Sequence, residues 1–220
     1  HTITNTTAQI YTSHPIWDKY RAPNVQTDFV CSSPINSVAL HPNQSELISV
    51  DQSGTVRTWD LVGNREQHPK IQPGGEVPLQ SISIASDASA AVAANNEGDC
   101  FFWRPGTLQE ADSAVTTLNA HPGAYILKCL ISPDVKTLAT TSSDHTIKLW
   151  SMADRSLTKT LAGHQRWVWD CAFSADSQYL VSASSDHTAR LWELSRGEDI
   201  RRYKGHSKAV VSIALNDTSL

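Results

Sequence analysis

His164, Ser184 and Asp186 supply an imidazole, a hydroxyl and a carboxylate, the three groups of a nucleophilic triad. Such a site needs its serine exposed beside an oxyanion hole. Here the same residue types recur one period earlier as His121, Ser142 and Asp144, and each set runs into a tryptophan, Trp192 or Trp150. Catalytic centres seldom come in tandem copies, whereas a repeated scaffold reuses its framework residues in every unit. The residues therefore read as a structural hydrogen-bond network, and no catalytic residue is expected.

Other chemistries fail on spacing. His145 and His187 occupy one column beside the turn aspartates, without a cysteine or carboxylate partner at zinc spacing, so they read as solvent-facing turn residues and no metal is expected. Pro73-Gly74-Gly75 lacks the lysine and following helix of a phosphate loop, so no cofactor or small-molecule substrate is expected. The cysteines, Cys31, Cys100, Cys129 and Cys171, read as reduced core residues of a cytosolic protein. Eighteen Lys+Arg against 22 Asp+Glu leave a net charge of −4, which argues against nucleic acid as a partner. No apolar run reaches the ~18 to 20 residues of a membrane-spanning helix. The chain begins at His1, without an initiator Met or a visible secretory signal, so a fragment or processed product is expected.

These residues are positioned by a repeat. Trp59, Trp103, Trp150 and Trp192 follow one another at intervals of 44, 47 and 42, with Trp17 another 42 upstream. The intervals sit around the ~40 to 45 residue period of a four-stranded propeller blade. Each unit shows a short apolar run, a polar turn, a second run, another turn, and a third run ending at the Trp. The first runs begin at Ile35, Leu79, Ile126, Val168 and Val210. More polar stretches such as Ser156–Leu161 and Asp199–Tyr203 supply a fourth strand between units. Short strands with tight turns and no 3.6 period predict an all-β chain whose small sheets stack around an axis.

Gly163-His164, Ser184, Asp186 and Thr188–Trp192 resemble a WD repeat, as do His121, Ser142, Asp144 and Thr146–Trp150. The resemblance implies a WD-repeat β-propeller in which the His, Ser, Asp and Trp of a unit are hydrogen-bonded together. The pattern is degraded upstream, where the Asp column reads Ser53 and Glu97 and the His column Cys31 and Gly75. Repeats are expected over 24–60, 61–104, 105–151 and 152–193, with a poorly matched remnant over 1–23 and a partial closing repeat over 194–220. A seven-bladed ring at this period needs on the order of 300 residues, so the expectation is an incomplete propeller, about five of seven blades.

Ser33–Val38, Leu40–Gln44, Asp51–Gly54, Trp167–Trp169, Cys171–Ser174, Ser184–Asp186 and Lys208–Asp217 are similar to the lethal-with-sec-thirteen family, the small WD-repeat subunits of the target-of-rapamycin (TOR) kinase complexes. That resemblance implies a non-catalytic subunit that docks on and stabilises the TOR kinase domain among other TOR complex subunits. Its expected location is the cytoplasm, with endomembrane association through the complex. The repeat alone equally allows an adaptor of another assembly, such as a ubiquitin-ligase substrate receptor or a G-protein-β-like adaptor.

Comparison between units isolates the candidate partner surface. The column of Pro34, Pro78, Tyr125, Trp167 and Ala209 has no fixed size, nor has that of Asn36, Gln80, Leu127, Trp169 and Val211. Blade architecture therefore demands tryptophan at neither. Both alternate with the uniformly apolar Val168 column and point away from it. Gln165, Arg166, Trp167 and Trp169 are thus the expected partner-binding residues, since Trp and Arg are enriched at interface hot spots. The competing reading is that the two indoles fill a gap between blades.

Overall fold

The computed structural model describes residues 7–11, 25–106 and 115–216. Trp17 and most of the 1–23 segment lie outside the described residues. Strands β1 (Thr7–Tyr11) and β2 (Val25–Val30) form a two-stranded antiparallel sheet. Four antiparallel four-stranded sheets follow: β3 (Ile35–Leu40) to β6 (Arg65–Ile71), β7 (Leu79–Ile84) to β10 (Thr116–Asn119), β11 (Ile126–Ile131) to β14 (Leu157–Ala162), and β15 (Val168–Phe173) to β18 (Glu198–Tyr203). In each, chain order equals strand order, so every connection is a hairpin. The described residues contain no helix, hence none long and apolar enough to cross a membrane.

Each sheet takes its fourth strand from beyond the Trp that closes its sequence unit, so sheets and sequence units are staggered by one strand. The second strands, Glu46–Asp51 (β4), Ala91–Asn95 (β8), Thr137–Ser142 (β12) and Tyr179–Ser184 (β16), are buried along nearly their whole length. The two in the middle blades, β8 and β12, are packed against a blade on either side, which is why they read as continuous small or apolar runs. The core lies between neighbouring sheets. One cluster joins Val92, Cys100 and Phe102 to Ile126, Cys129 and Leu138 of the next blade, and another joins Ala139, Ile147 and Leu149 to Val168, Cys171 and Leu180. The four cysteines are free and buried, and burial pushes the Cys129 thiol up to about 11.

Every innermost strand carries a β-bulge at one place: register shifts between Ile35 and Ser37, Leu79 and Ser81, Ile126 and Lys128, and Val168 and Asp170. The extra residues are Asn36, Gln80, Leu127 and Trp169. A bulged residue has no cross-strand partner and is re-aimed by the local twist, which accounts for the freedom of that column.

Beyond β18, the stretch expected to add an inner strand, Val210–Leu215, lies along the last blade without strand pairing. Its Val210 amide donates to the Ser184 carbonyl at 3.0 Å, and Ser212 Oγ and the Ile213 amide donate to Asp170 Oδ2 at 3.1 and 3.0 Å. The cause is local: the Ile213 amide, which a strand ladder would pair with a backbone carbonyl, donates to the Asp170 side chain instead.

Candidate partner-binding face

In the last blade, Trp192 Nε1–H donates to Ser182 Oγ at 2.8 Å, Ser182 Oγ meets His164 Nε2 at 2.7 Å, and His164 Nδ1 meets Asp186 Oδ2 at 2.7 Å. The preceding blade repeats the chain as Trp150, Thr140, His121 and Asp144, at 3.0, 2.8 and 2.7 Å. The serines singled out from the sequence, Ser184 and Ser142, are not the link between ring and indole. Their hydroxyls accept from the amides of Asp186 and Asp144, each at 3.1 Å. The physical reason is register. Leu180 pairs with Trp192 and Ser182 with Arg190, so position 182 lies beside the indole while position 184 has reached the hairpin turn. Ser184 Oγ also donates to the Arg166 carbonyl at 3.2 Å, which engages it on both sides.

The aspartates close the turns. Asp186 Oδ1 accepts from Thr188 N and Oγ1, and Asp144 Oδ1 does the same with Thr146. Burial alone would raise the carboxyl of Asp186, but hydrogen bonds from Thr188, His164 and the Gln165 amide outweigh it and hold it well below the usual carboxylate range. The His164 ring is pushed below its ordinary value, because burial outweighs the attraction of Asp186. A neutral ring fits the geometry: Nδ1–H donates to the carboxylate, while Nε2 accepts from the hydroxyl that itself accepts the indole N–H.

Both depressed values give the same sign for pH. Above about pH 6.5 the His164 contribution to stability is complete. As pH falls below that, the unfolded chain protonates first and stability declines; a second loss follows below about pH 4 as Asp186 and Asp144 are titrated through their depressed folded values. Urea midpoints measured from pH 8 to pH 3 are expected to decrease in that order, with no gain on acidification.

The glycine of Gly163-His164 has a packing cause. A Cβ there would press on Arg190 Nη1 and lie 3.2 Å from the Trp192 ring. Arg190 Nη2 donates to the Gly163 carbonyl at 2.6 Å and Nη1 to Asp199 at 2.8 Å. In the preceding blade a slimmer cation, Lys148, donates to the carbonyl of Ala120 at 2.7 Å, and alanine fits.

The degraded units are rebuilt rather than lost. In the first blade Ser49 accepts from Trp59 Nε1 at 2.8 Å, and Asp51, two residues before the expected Asp column, accepts from Ser53 and Thr55. Asn95 Oδ1 replaces it in the second blade, accepting from the amides of Glu97 and Asp99. There Ala93 stands where the hydroxyl belongs, and buried Trp103 Nε1 has no partner. Ala93→Ser is expected to satisfy that donor, adding about 1 kcal/mol and raising Tm by roughly 2 to 4 °C in a thermal melt.

On the face reached by the His loops, Trp167 is exposed, with Gln165 and Arg166 also exposed beside it and Val168 fully buried. Trp167 and Trp169 pack at 5.5 Å between ring centroids, tilted by 53°. Trp169 is half-buried, and its Nε1–H donates to Ser185 Oγ at 2.6 Å. The Trp167 carbonyl accepts from the Ser185 amide at 2.9 Å, and the carbonyls of Pro34, Pro78 and Tyr125 accept in the same way from Gln52, Asn96 and Ser143. The framework uses this column's carbonyl, which proline also has, and leaves its side chain free. Ser143 and Ser185 carry no signal of this role in the sequence, where Tyr125 stands only as one member of a variable column. His145 and His187 are exposed turn residues with φ of 73° and 70°. Among the described residues, no group of three or more His, Cys, Asp or Glu is placed to hold a metal ion.

Stacked four-stranded sheets tied by a Trp–hydroxyl–His–Asp chain define a WD-repeat protein of the β-propeller class. The model of the "WD domain, G-beta repeat" family matches residues 24–60, 112–151 and 155–193, and the chain belongs to that family. The unmatched interval covers most of the second blade, the one that has Gly75 and Ala93 in place of the His and hydroxyl. Among relatives, the chain is 55% identical over 143 residues to "Target of rapamycin complex subunit wat1" of Schizosaccharomyces pombe, covering 64% of this chain and 45% of the relative. It is 50% identical over 153 residues to "Target of rapamycin complex subunit LST8" of Saccharomyces cerevisiae, covering 68% and 50%. The protein of that same name from Bos taurus is 43% identical over 153 residues, covering 67% and 46%. The chain thus spans about half the length of the curated relatives it matches.

Proposed function

We propose that this chain acts as a non-catalytic WD-repeat scaffold subunit of TOR kinase complexes, docking on and stabilising the kinase domain. The observation that carries the reading is its 43 to 55% identity to relatives named as TOR complex subunits. The docking surface is the exposed Gln165–Trp167 loop with Trp169, where large aromatic area is presented on positions the blade leaves free. Engagement of Ser184 and His164 in framework bonds supports a role without turnover. On this reading the chain works in the cytoplasm and reaches endomembranes through the complex. Titrating the purified chain against a purified TOR kinase-domain protein tests it. Saturable binding with a raised melting temperature of the kinase domain is expected, and absence of both contradicts it.

A further inference from the structure

The aromatic pair does not end at its own blade. Tyr125, one residue before β11, meets Trp167 edge to face at 5.9 Å, an orientation of 83°, so three rings form a continuous strip across the seam between two blades. Tyr125 and Trp167 are 48% and 38% exposed. The strip is held before any partner arrives. The Tyr125 amide donates to Ser143 Oγ at 2.9 Å and its carbonyl accepts from Ser143 N at 3.0 Å, while Ser185 holds Trp167 and Trp169 as described. Rings fixed in this way lose little conformational freedom on binding.

The loops that carry the strip hold two exposed cations. The position preceding the Trp167 column reads Ser33, Val77, Ala124, Arg166 and Lys208, cationic only in the last two, and both are exposed. Ser184 brings their segments together: its Oγ donates to the Arg166 carbonyl, and its own carbonyl accepts from Val210, two residues after Lys208. The loops 120–125, 163–167 and 204–209 contain no Asp or Glu. The carboxylates of the adjoining turns keep their charge but are turned onto framework donors, Asp144 onto His121 and Thr146 and Asp186 onto His164 and Thr188, while Asp170 pairs with Lys128 and accepts from Ser212 and Ile213. A chain of net charge −4 thus places two exposed cations on the loops that carry its aromatic strip.

We propose that Tyr125, Trp167 and Trp169, with Arg166 and Lys208, form a single docking surface for an acidic protein segment bearing an apolar side chain between its carboxylates. The apolar side chain lies over the rings and the carboxylates meet the two cations. This rests on the TOR-subunit reading for the identity of the partner, but not for its chemistry. The test uses the full chain, a TOR kinase-domain protein, and two synthetic peptides with the same Leu-Phe centre, one flanked by Glu and one by Lys. Expected are quenching of tryptophan fluorescence by the Glu peptide alone, loss of that response in Arg166→Glu/Lys208→Glu, and about tenfold weaker kinase-domain binding in that variant and in Tyr125→Ala. Kinase-domain binding that is unaltered by the charge reversal, or equal binding of both peptides, overturns the inference and leaves the TOR reading intact. Selective binding of the Glu peptide without any binding of the kinase domain supports the surface chemistry and removes the TOR reading. Binding of neither peptide overturns the inference.

Discussion

Ser182→Ala is expected to lower stability by on the order of 2 to 4 kcal/mol, a fall in Tm of roughly 5 to 10 °C for a domain of this size. One hydroxyl serves two buried partners, accepting from Trp192 Nε1–H and meeting His164 Nε2, and all three residues are almost wholly removed from solvent. Alanine leaves an indole donor and an imidazole nitrogen unpaired at once, each at the cost of a stranded polar group. Ser184→Ala removes a hydroxyl that accepts from the Asp186 amide and donates to the Arg166 carbonyl at a turn, and about 1 kcal/mol is expected. The two serines lie two residues apart on one strand, so urea unfolding of the pair compares positions of equal chemistry. Equal destabilisation would contradict the assignment of Ser182 as the link. A double-mutant cycle with Trp192→Phe is expected to show strong coupling to Ser182 and little to Ser184.

Trp167→Ala combined with Trp169→Ala is expected to weaken binding to the TOR kinase domain by at least about a hundredfold, roughly 2.7 kcal/mol. Neither side chain is part of the Val168 core column, and in sister blades the first position holds Pro or Tyr and the second Asn, Gln or Leu. Global stability is therefore expected to change far less than in Ser182→Ala, apart from the ring contacts and the bond from Trp169 to Ser185. Equilibrium binding measured beside a thermal melt separates the outcomes. Unchanged affinity with an intact fold assigns the indoles to filling the seam between blades; lost affinity with an intact fold assigns them to the interface.

The period of the tryptophans makes the strands and their hairpins legible, because strands buried on both faces and separated by Asp-rich turns leave a strong pattern in every unit. The framework hydroxyl is less legible. Ser184 and Ser142 look right by residue type, but hydrogen bonding is decided by register, which places Ser182 and Thr140 ten residues before their indoles. Comparison across units carries the missing signal, since Ser49, Thr140 and Ser182 share that spacing. The bulge at Trp169 is invisible in one strand, because alternation of apolar residues does not reveal an unpaired position. Asp51 and Asn95 are missed for another reason: their side chains reach the same turn from two residues earlier, so the function is kept while the column is not. The aromatic strip needs a contact between Tyr125 and Trp167 across a blade seam, a relation that only the stacking of sheets creates.

Affinity purification of the chain from its source cell, followed by mass spectrometry with Trp167→Ala/Trp169→Ala as the matched control, tests the functional reading most directly. Recovery of the TOR kinase with the wild-type chain and its depletion with the variant are expected. Recovery of cullin-type ubiquitin-ligase subunits without the TOR kinase, or equal recovery of the kinase by both chains, would contradict it.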